Sequence, residues 1–281
     1  MTGMLYFIQL LSHPRTVYDI MIASEVFDYL SRDPLRNIVP LKVISVHPAE
    51  ARAHYFSDAA AAGVLLLLPT KAAAYESARY PETQFVVMIA ADTEAITEQM
   101  LDAIPTGCGL VFKLSNPADR AVVAKRFRLE HSTSFLSYTC TAEATFRASE
   151  KVSISTGLDP TLVPLFGRNG YGPDELQHYF SADGAACFGL YDDEGQPLSG
   201  CFAYRNYGDV WEIAGVHTPA AARRNGYARQ VVETALSTLL ANGYIPRYQM
   251  DEHNLASKNL AESLGLKLFL VTEHLLSLPA E

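Results

Sequence analysis

The chain has 281 residues, 49% of them hydrophobic and 19% charged, with a formal net charge of -9 at pH 7. It is long enough for two domains of ordinary size or one large one, and too apolar for a disordered chain. The acidic balance, with no basic cluster longer than Arg223-Arg224, excludes binding to a nucleic-acid backbone, which needs concentrated Lys and Arg; a neutral or cationic small-molecule partner fits better.

In chain order, the apolar start Met1–Leu11 has no Lys or Arg ahead of it and no small-residue cleavage pattern, and reads as a first strand. The longest apolar run, Ala59–Leu68, falls short of the ~18–20 residues that cross a bilayer, so no membrane partner is expected. Strand patterns follow at Gly63–Leu68, Phe85–Ile89, Gly109–Leu114 and Ser134–Tyr138, with helical patterns at Thr93–Ile104 and Pro117–Phe127. Thr141–Ser181 reads as a connector of loops and short helices. Its stretch Phe166-Gly-Arg-Asn-Gly-Tyr-Gly-Pro173 either lines a substrate pocket or serves packing alone.

The C-terminal half is patterned more clearly. Ala186–Tyr191, the turn Asp192-Asp-Glu-Gly195 and Leu198–Tyr204 form a hairpin signature, and Val210–His217 is a further strand. From Ala228, Val231, Val232, Ala235, Leu236, Leu239 and Leu240 recur at helical spacing until Asn242-Gly243. Arg247–Met250 is a short strand, Asn254 an N-cap, Leu255–Leu264 a helix ended by Gly265, and Lys267–Val271 a last strand. The N-terminal half repeats this order more faintly, and Asn116 opens a helix as Asn254 does. It is either a diverged copy or an unrelated capping α/β domain. As a copy it has lost its phosphate site, because Ala90-Ala-Asp-Thr93 brings no glycine-bearing turn to its helix.

Four widely spaced cysteines, Cys108, Cys140, Cys187 and Cys201, read as free thiols of a reduced, cytoplasmic protein. The eight histidines show no metal-ligand spacing, so no metal is expected.

The chemistry-bearing segment is Arg223-Arg-Asn-Gly-Tyr-Ala228. It follows a strand and opens the best helix, and free backbone N–H groups at a helix start bind a pyrophosphate without many basic side chains. Gly226 allows close backbone approach, and Ala228 leaves room beside the phosphates. Val216-His-Thr-Pro-Ala-Ala-Ala-Arg-Arg-Asn-Gly-Tyr-Ala228 resembles the first signature of the GCN5-related N-acetyltransferase (GNAT) superfamily. Pro246–Leu266, with its Asn-x-x-Ser helix start and Leu-Gly end, is similar to the second. The resemblance covers roughly residues 137–281.

This resemblance implies an α/β fold of mixed type, a central, mostly antiparallel twisted sheet flanked by helices, with residues 1–136 a separate α/β domain or degenerate GNAT-like copy. A tandem copy would take the place of a second subunit, so a monomer is expected. The co-substrate implied is acetyl-CoA (coenzyme A). The amides of Arg224, Asn225, Gly226, Tyr227 and Ala228, with Arg223, would hold its pyrophosphate. The edge of Val216, His217 and Thr218 would pair with the pantetheine arm, joined by Asn254 and Ser257.

The function implied is N-acetyl transfer to a primary amine of a small molecule, with a carboxylate as general base. Glu212, fourteen residues before Gly226, stands where histone-acetylating relatives carry that base, and strand alternation sets it on the side of Val216 and opposite Trp211. Asp251, Glu252 and His253 compete for the role. One departure stands out: the tyrosine that many members place seven residues after the asparagine is Ala261 here. The general acid then falls to Tyr248, His253 or water, or the domain binds coenzyme A as a regulatory module or pseudoenzyme without efficient turnover.

Overall fold

The computed structural model describes residues 17–182 and 184–279. The strand expected over Met1–Leu11 lies outside them. The N-terminal half runs α1 (Val17–Leu30), α2 (Ile38–Val46), β1 (Arg52–Ser57), β2 (Ala62–Pro69), α3 (Ala74–Arg79), β3 (Phe85–Ala91), α4 (Glu94–Met100), β4 (Leu110–Leu114), α5 (Pro117–Val123) and β5 (Glu130–Thr139). The remainder adds β6 (Val152–Ser155), α6 (Val163–Gly167), α7 (Pro173–Ala182), β7 (Ala186–Tyr191), β8 (Pro197–Tyr207), β9 (Val210–His217), α8 (Tyr227–Ala241), β10 (Ile245–Asp251), α9 (Leu255–Ser263) and β11 (Lys267–Ser277).

The eleven strands of the described residues hydrogen-bond into one sheet in the order β1-β2-β3-β4-β11-β5-β10-β9-β8-β7-β6. Its pairings are antiparallel except β3 with β4 and β9 with β10. These two parallel pairs are equivalent places in two copies of one plan: β3-α4-β4-α5-β5 and β9-α8-β10-α9-β11 run in the same order. The copies are joined by exchange. β5 pairs with β10 of the second series, β11 pairs with β4 of the first, and β5 and β11 pair with each other. The boundary expected between 136 and 137 therefore falls inside β5, a strand that belongs to one series by sequence and to the other by hydrogen bonding.

Burial explains the patterns. β2 reads as a continuous apolar run because both its faces are covered: Leu65 and Leu67 join Val87, Phe112 and the helices α4 and α5, while Leu66 and Leu68 join Tyr80 and Val86 on the other side. In the C-terminal half, Val231, Val232, Ala235, Leu236 and Leu239 of α8 pack with Trp211, Ile213 and Tyr248. Gly243 (φ 76°) ends α8 left-handed, its N–H bonding Leu240 O and that of Tyr244 bonding Leu239 O. On the opposite face, Phe166 and Leu176 of α6 and α7 pack against Phe202 and Ala214.

Local pattern missed α1, α2, β1, α3 and β6, and it ended the last strand too early. β11 continues to Ser277 because strands flank it on both sides, so even the polar run Thr272-Glu-His274 is held in the ladder.

Candidate active site

The parallel pairing of β9 with β10 runs from Val210 and Ile245 only as far as Ile213 and Tyr248. Beyond that point β10 turns to β5 and the edge of β9 loses its neighbour. A bulge in β9 accompanies the parting: Phe202 faces Ala214 but Gly200 faces His217. Gly215 makes the bulge at φ 64°, where a Cβ would lie 2.6 Å from the Phe202 ring, so this position requires glycine. A cavity of about 620 Å³ opens at the parting, walled by β8, β9 and β10, by the start of α9, by Tyr171, by α2 and α3 of the N-terminal half with Lys113 of β4, and by β11.

Glu212 lies in that wall, buried at 8% exposure. Arg247, its partner across the parallel ladder, is 2% exposed and makes an ion pair with it. Asn206 Nδ2 donates to the same carboxylate oxygen at 2.6 Å, and the second terminal nitrogen of Arg247 donates to Ser137 Oγ at 3.1 Å. Local pattern did not reveal Arg247 as a site residue. It becomes a partner of Glu212 only once β9 and β10 are placed side by side. Val216 lines the same cavity, while Trp211 faces away and stacks on Tyr244 at 4.6 Å. Of the competitors, Glu252 accepts from the Ser134 N–H at 2.7 Å and Asp251 from Thr133 Oγ1 at 2.8 Å.

The helix start is open. No backbone N–H from Arg224 to Arg229 donates to another protein group among the described residues, and the N-cap Gly226 (φ 76°) supplies no side chain to cap it. Arg224, at φ 66°, is the non-glycine residue held left-handed among the described residues, and such strain concentrates where backbone is shaped for a ligand. Arg223 Nε folds back on Thr218 O at 3.1 Å, and Asn225 Nδ2 braces Ala222 O at 3.2 Å. This loop, with Tyr227 and Ala228, stands outside the cavity, whereas Val216, Asn254 and Ser257 line it.

Asn254 is the N-cap of α9, its Oδ1 accepting the Ser257 N–H at 3.1 Å, and its Nδ2 donates to no protein group among the described residues. Asn169, from the connector, donates to Val216 O at 3.1 Å and meets His217 Nδ1 at 3.3 Å, so that loop does reach the strand edge. His217 has its pKa lowered by burial and by Arg223 and Arg168. The Tyr248 hydroxyl is buried at the cavity beside Ser257 without completing a well-formed hydrogen bond. Burial pushes its pKa up to about 12, so it keeps its proton at neutral pH. Ala261 is fully buried in the core and lines no part of the cavity.

The first copy has no open helix start in the matching place. Thr93 Oγ1 caps α4 through the Ile96 N–H at 3.4 Å. Asp92 accepts from Tyr29 at 3.0 Å and from the Ala62 N–H at 2.9 Å, lining a cavity of about 160 Å³. Asn116 still caps α5, through the Ala118 N–H at 3.0 Å. Among the described residues no helix is long and apolar enough to cross a membrane, and no group of three or more His, Cys, Asp or Glu converges as a metal site requires.

Comparison with known proteins bears on this geometry. The family model described as GNAT acetyltransferase matches residues 175–269. No curated protein matches the chain. Among solved structures, a GCN5-related N-acetyltransferase from Sphaerobacter thermophilus superposes with a TM-score of 0.58 at 10% identity, covering 93% of this chain and 91% of its own. A Drosophila protein gives 0.55 at 13% identity, covering 92% and 97%. A tandem GNAT protein from the clavulanic acid biosynthesis pathway gives 0.54 at 10% identity, covering 94% and 96%. The fold of the chain is thus the GNAT fold.

Proposed function

We propose, from the match of residues 175–269 to the GNAT acetyltransferase family model, that the protein transfers an acetyl group from acetyl-CoA to a primary amine of a small molecule. The observation that carries this reading is the parting of β9 and β10 over a cavity that contains Glu212, beside an α8 start with unpaired N–H groups. The pyrophosphate binds the amides of Arg224–Ala228, where the helix dipole and the open donors favour an anion. The pantetheine arm follows the edge of β9 at Val216–Thr218, past its parting from β10, toward the cavity, with Asn254 Nδ2 as a side-chain donor.

The amine nitrogen attacks the thioester carbonyl carbon, the C–N bond forms, and the C–S bond breaks. The amine proton passes toward Glu212, directly or through one water, while Arg247 and Asn206 hold that carboxylate in place. Tyr248, protonated and buried at the cavity, returns a proton to the thiolate and takes over the part that Ala261 cannot play. The pairing of Glu212 with Arg247 also favours a second reading, a coenzyme A-binding regulatory module without efficient turnover.

The two readings separate in an acetyl-CoA consumption assay over a panel of amines, with coenzyme A affinity measured in parallel by calorimetry. Turnover that falls about 10²–10⁴-fold in Glu212→Gln, with affinity retained, supports the transferase. Saturable binding without turnover on any amine, unchanged by that substitution, overturns it.

A further inference from the structure

The acceptor end of the cavity is not built by the C-terminal half alone. α2 packs across β8, and it sends Lys42 into the cavity, where the ammonium lies 5.0 Å from the centre of the Tyr204 ring and 5.7 Å from that of Tyr179. Among the described residues Lys42 has no ion-pair or hydrogen-bond partner. Burial lowers its pKa, although Glu212 and Glu175 pull the other way. The tyrosine faces compensate part of the lost hydration, yet a half-buried ammonium without an acceptor is costly unless a ligand completes it.

A second cationic group in the same wall has an unpaired donor beneath the surface. Nε of Arg247 has no acceptor although the residue is 2% exposed. The lining carboxylates have partners of their own: Glu212 serves Arg247, Glu76 pairs with Lys113, and Asp251 accepts from Thr133 Oγ1. Glu175, which also lines the cavity, accepts from the Tyr179 hydroxyl at 3.0 Å. An acceptor carrying only an amine would leave Lys42 unmatched and would set a second cation near it. An acceptor that also carries an anionic group would complete it.

We infer that the acceptor is an amine that bears a carboxylate, of the amino-acid class, and that Lys42 of the N-terminal half binds this carboxylate while the amine faces Glu212. A carboxylate suits the site better than a phosphate, because among the described residues the unpaired cation that lines the cavity is a single ammonium rather than a cluster or a helix start. The cavity, at about 620 Å³, lies in the usual range for small-molecule sites. The inference rests on the transferase reading and adds to it the recognition of a second group.

The test uses the full chain with acetyl-CoA and pairs of acceptors, each amino acid against its decarboxylated amine and its carboxamide. The wild type is expected to prefer the carboxylate member about ten- to a hundred-fold in kcat/KM, the range of one charge-assisted hydrogen bond. Lys42→Met should erase that preference, the loss appearing in KM for the amino acid, and Lys42→Arg should keep most of it. Equal use of both members by the wild type, or a preference that survives Lys42→Met, overturns the inference and leaves the transferase reading standing. Coenzyme A binding with transfer to no amine overturns both.

Discussion

Glu212 and Arg247 face each other on adjacent parallel strands, both buried, and their energetics differ from those of a surface pair. Removing one partner strands the other charge in a low-dielectric wall, whereas replacing both with apolar groups of similar size avoids the desolvation cost altogether. Arg247→Met is therefore expected to destabilise the fold by about 3–5 kcal/mol in urea unfolding, and Glu212→Leu in the same chain to recover much of the loss. A double variant no more stable than the single one would show that the pair is not the source. His274 carries a second electrostatic consequence. It is 4% exposed, hydrogen-bonded at Nδ1 to the Tyr80 hydroxyl at 2.6 Å, and burial lowers its pKa to about 2, with Lys113 and Arg79 adding to the effect. The unfolded histidine, near 6.5, takes its proton first, so this contribution is complete above that value and is lost as pH falls toward the folded pKa. Stability should drop by about 2 kcal/mol between pH 7 and pH 5 from this group. His274→Phe should flatten that part of the slope in urea midpoints measured across the range.

α5 and α9 begin alike, each with an asparagine whose Oδ1 caps the first turn, but only one of these asparagines lines the large cavity. Each of Asn116→Ala and Asn254→Ala should cost about 1 kcal/mol in stability, the usual loss of an N-cap. Only Asn254→Ala should also weaken coenzyme A binding by calorimetry. Equal affinities in the two variants would reduce Asn254 to a cap. The contrast between α4 and α8 is of the same kind. Nine residues (218–226) separate β9 from α8 and leave six amides free, while Asp92 and Thr93 alone join β3 to α4 and close its start with a side-chain cap.

In the molecule as a whole, two copies of one plan exchange their last strands, and of the two matching helix starts α8 has open amides while α4 is capped by Thr93. Asp92 places a carboxylate where the first copy would need to receive a phosphate, so calorimetry should give one coenzyme A per chain. Gly226→Val, which forces a branched side chain into the left-handed region, should weaken that single event strongly. A second site of similar affinity would contradict the expectation that the first copy binds no co-substrate. The exchange also satisfies the central strands within one chain, since β11 and β5 find each other, β4 and β10 without a second molecule. A monomer of about 30.8 kDa is the expected result in light scattering.

The elements nearest the site were legible in the linear chain because their signals are local. Helical apolar spacing from Val231 to Leu240, the Asn242-Gly243 cap, the Gly226 turn and the Asn254 N-cap each depend on residues within one or two turns. The α1–β1 region was not legible, since its elements are specified by packing onto β2 and β8 rather than by strong periodicity or caps of their own. Tertiary structure alone decided which charges meet. Arg247 reaches Glu212 through the parallel register of two strands, and Lys42 reaches the cavity because α2 crosses β8, more than 150 residues away in sequence. Exchange of β5 and β11 likewise leaves no mark in either strand, because a ladder of backbone hydrogen bonds does not depend on which half supplies its neighbour.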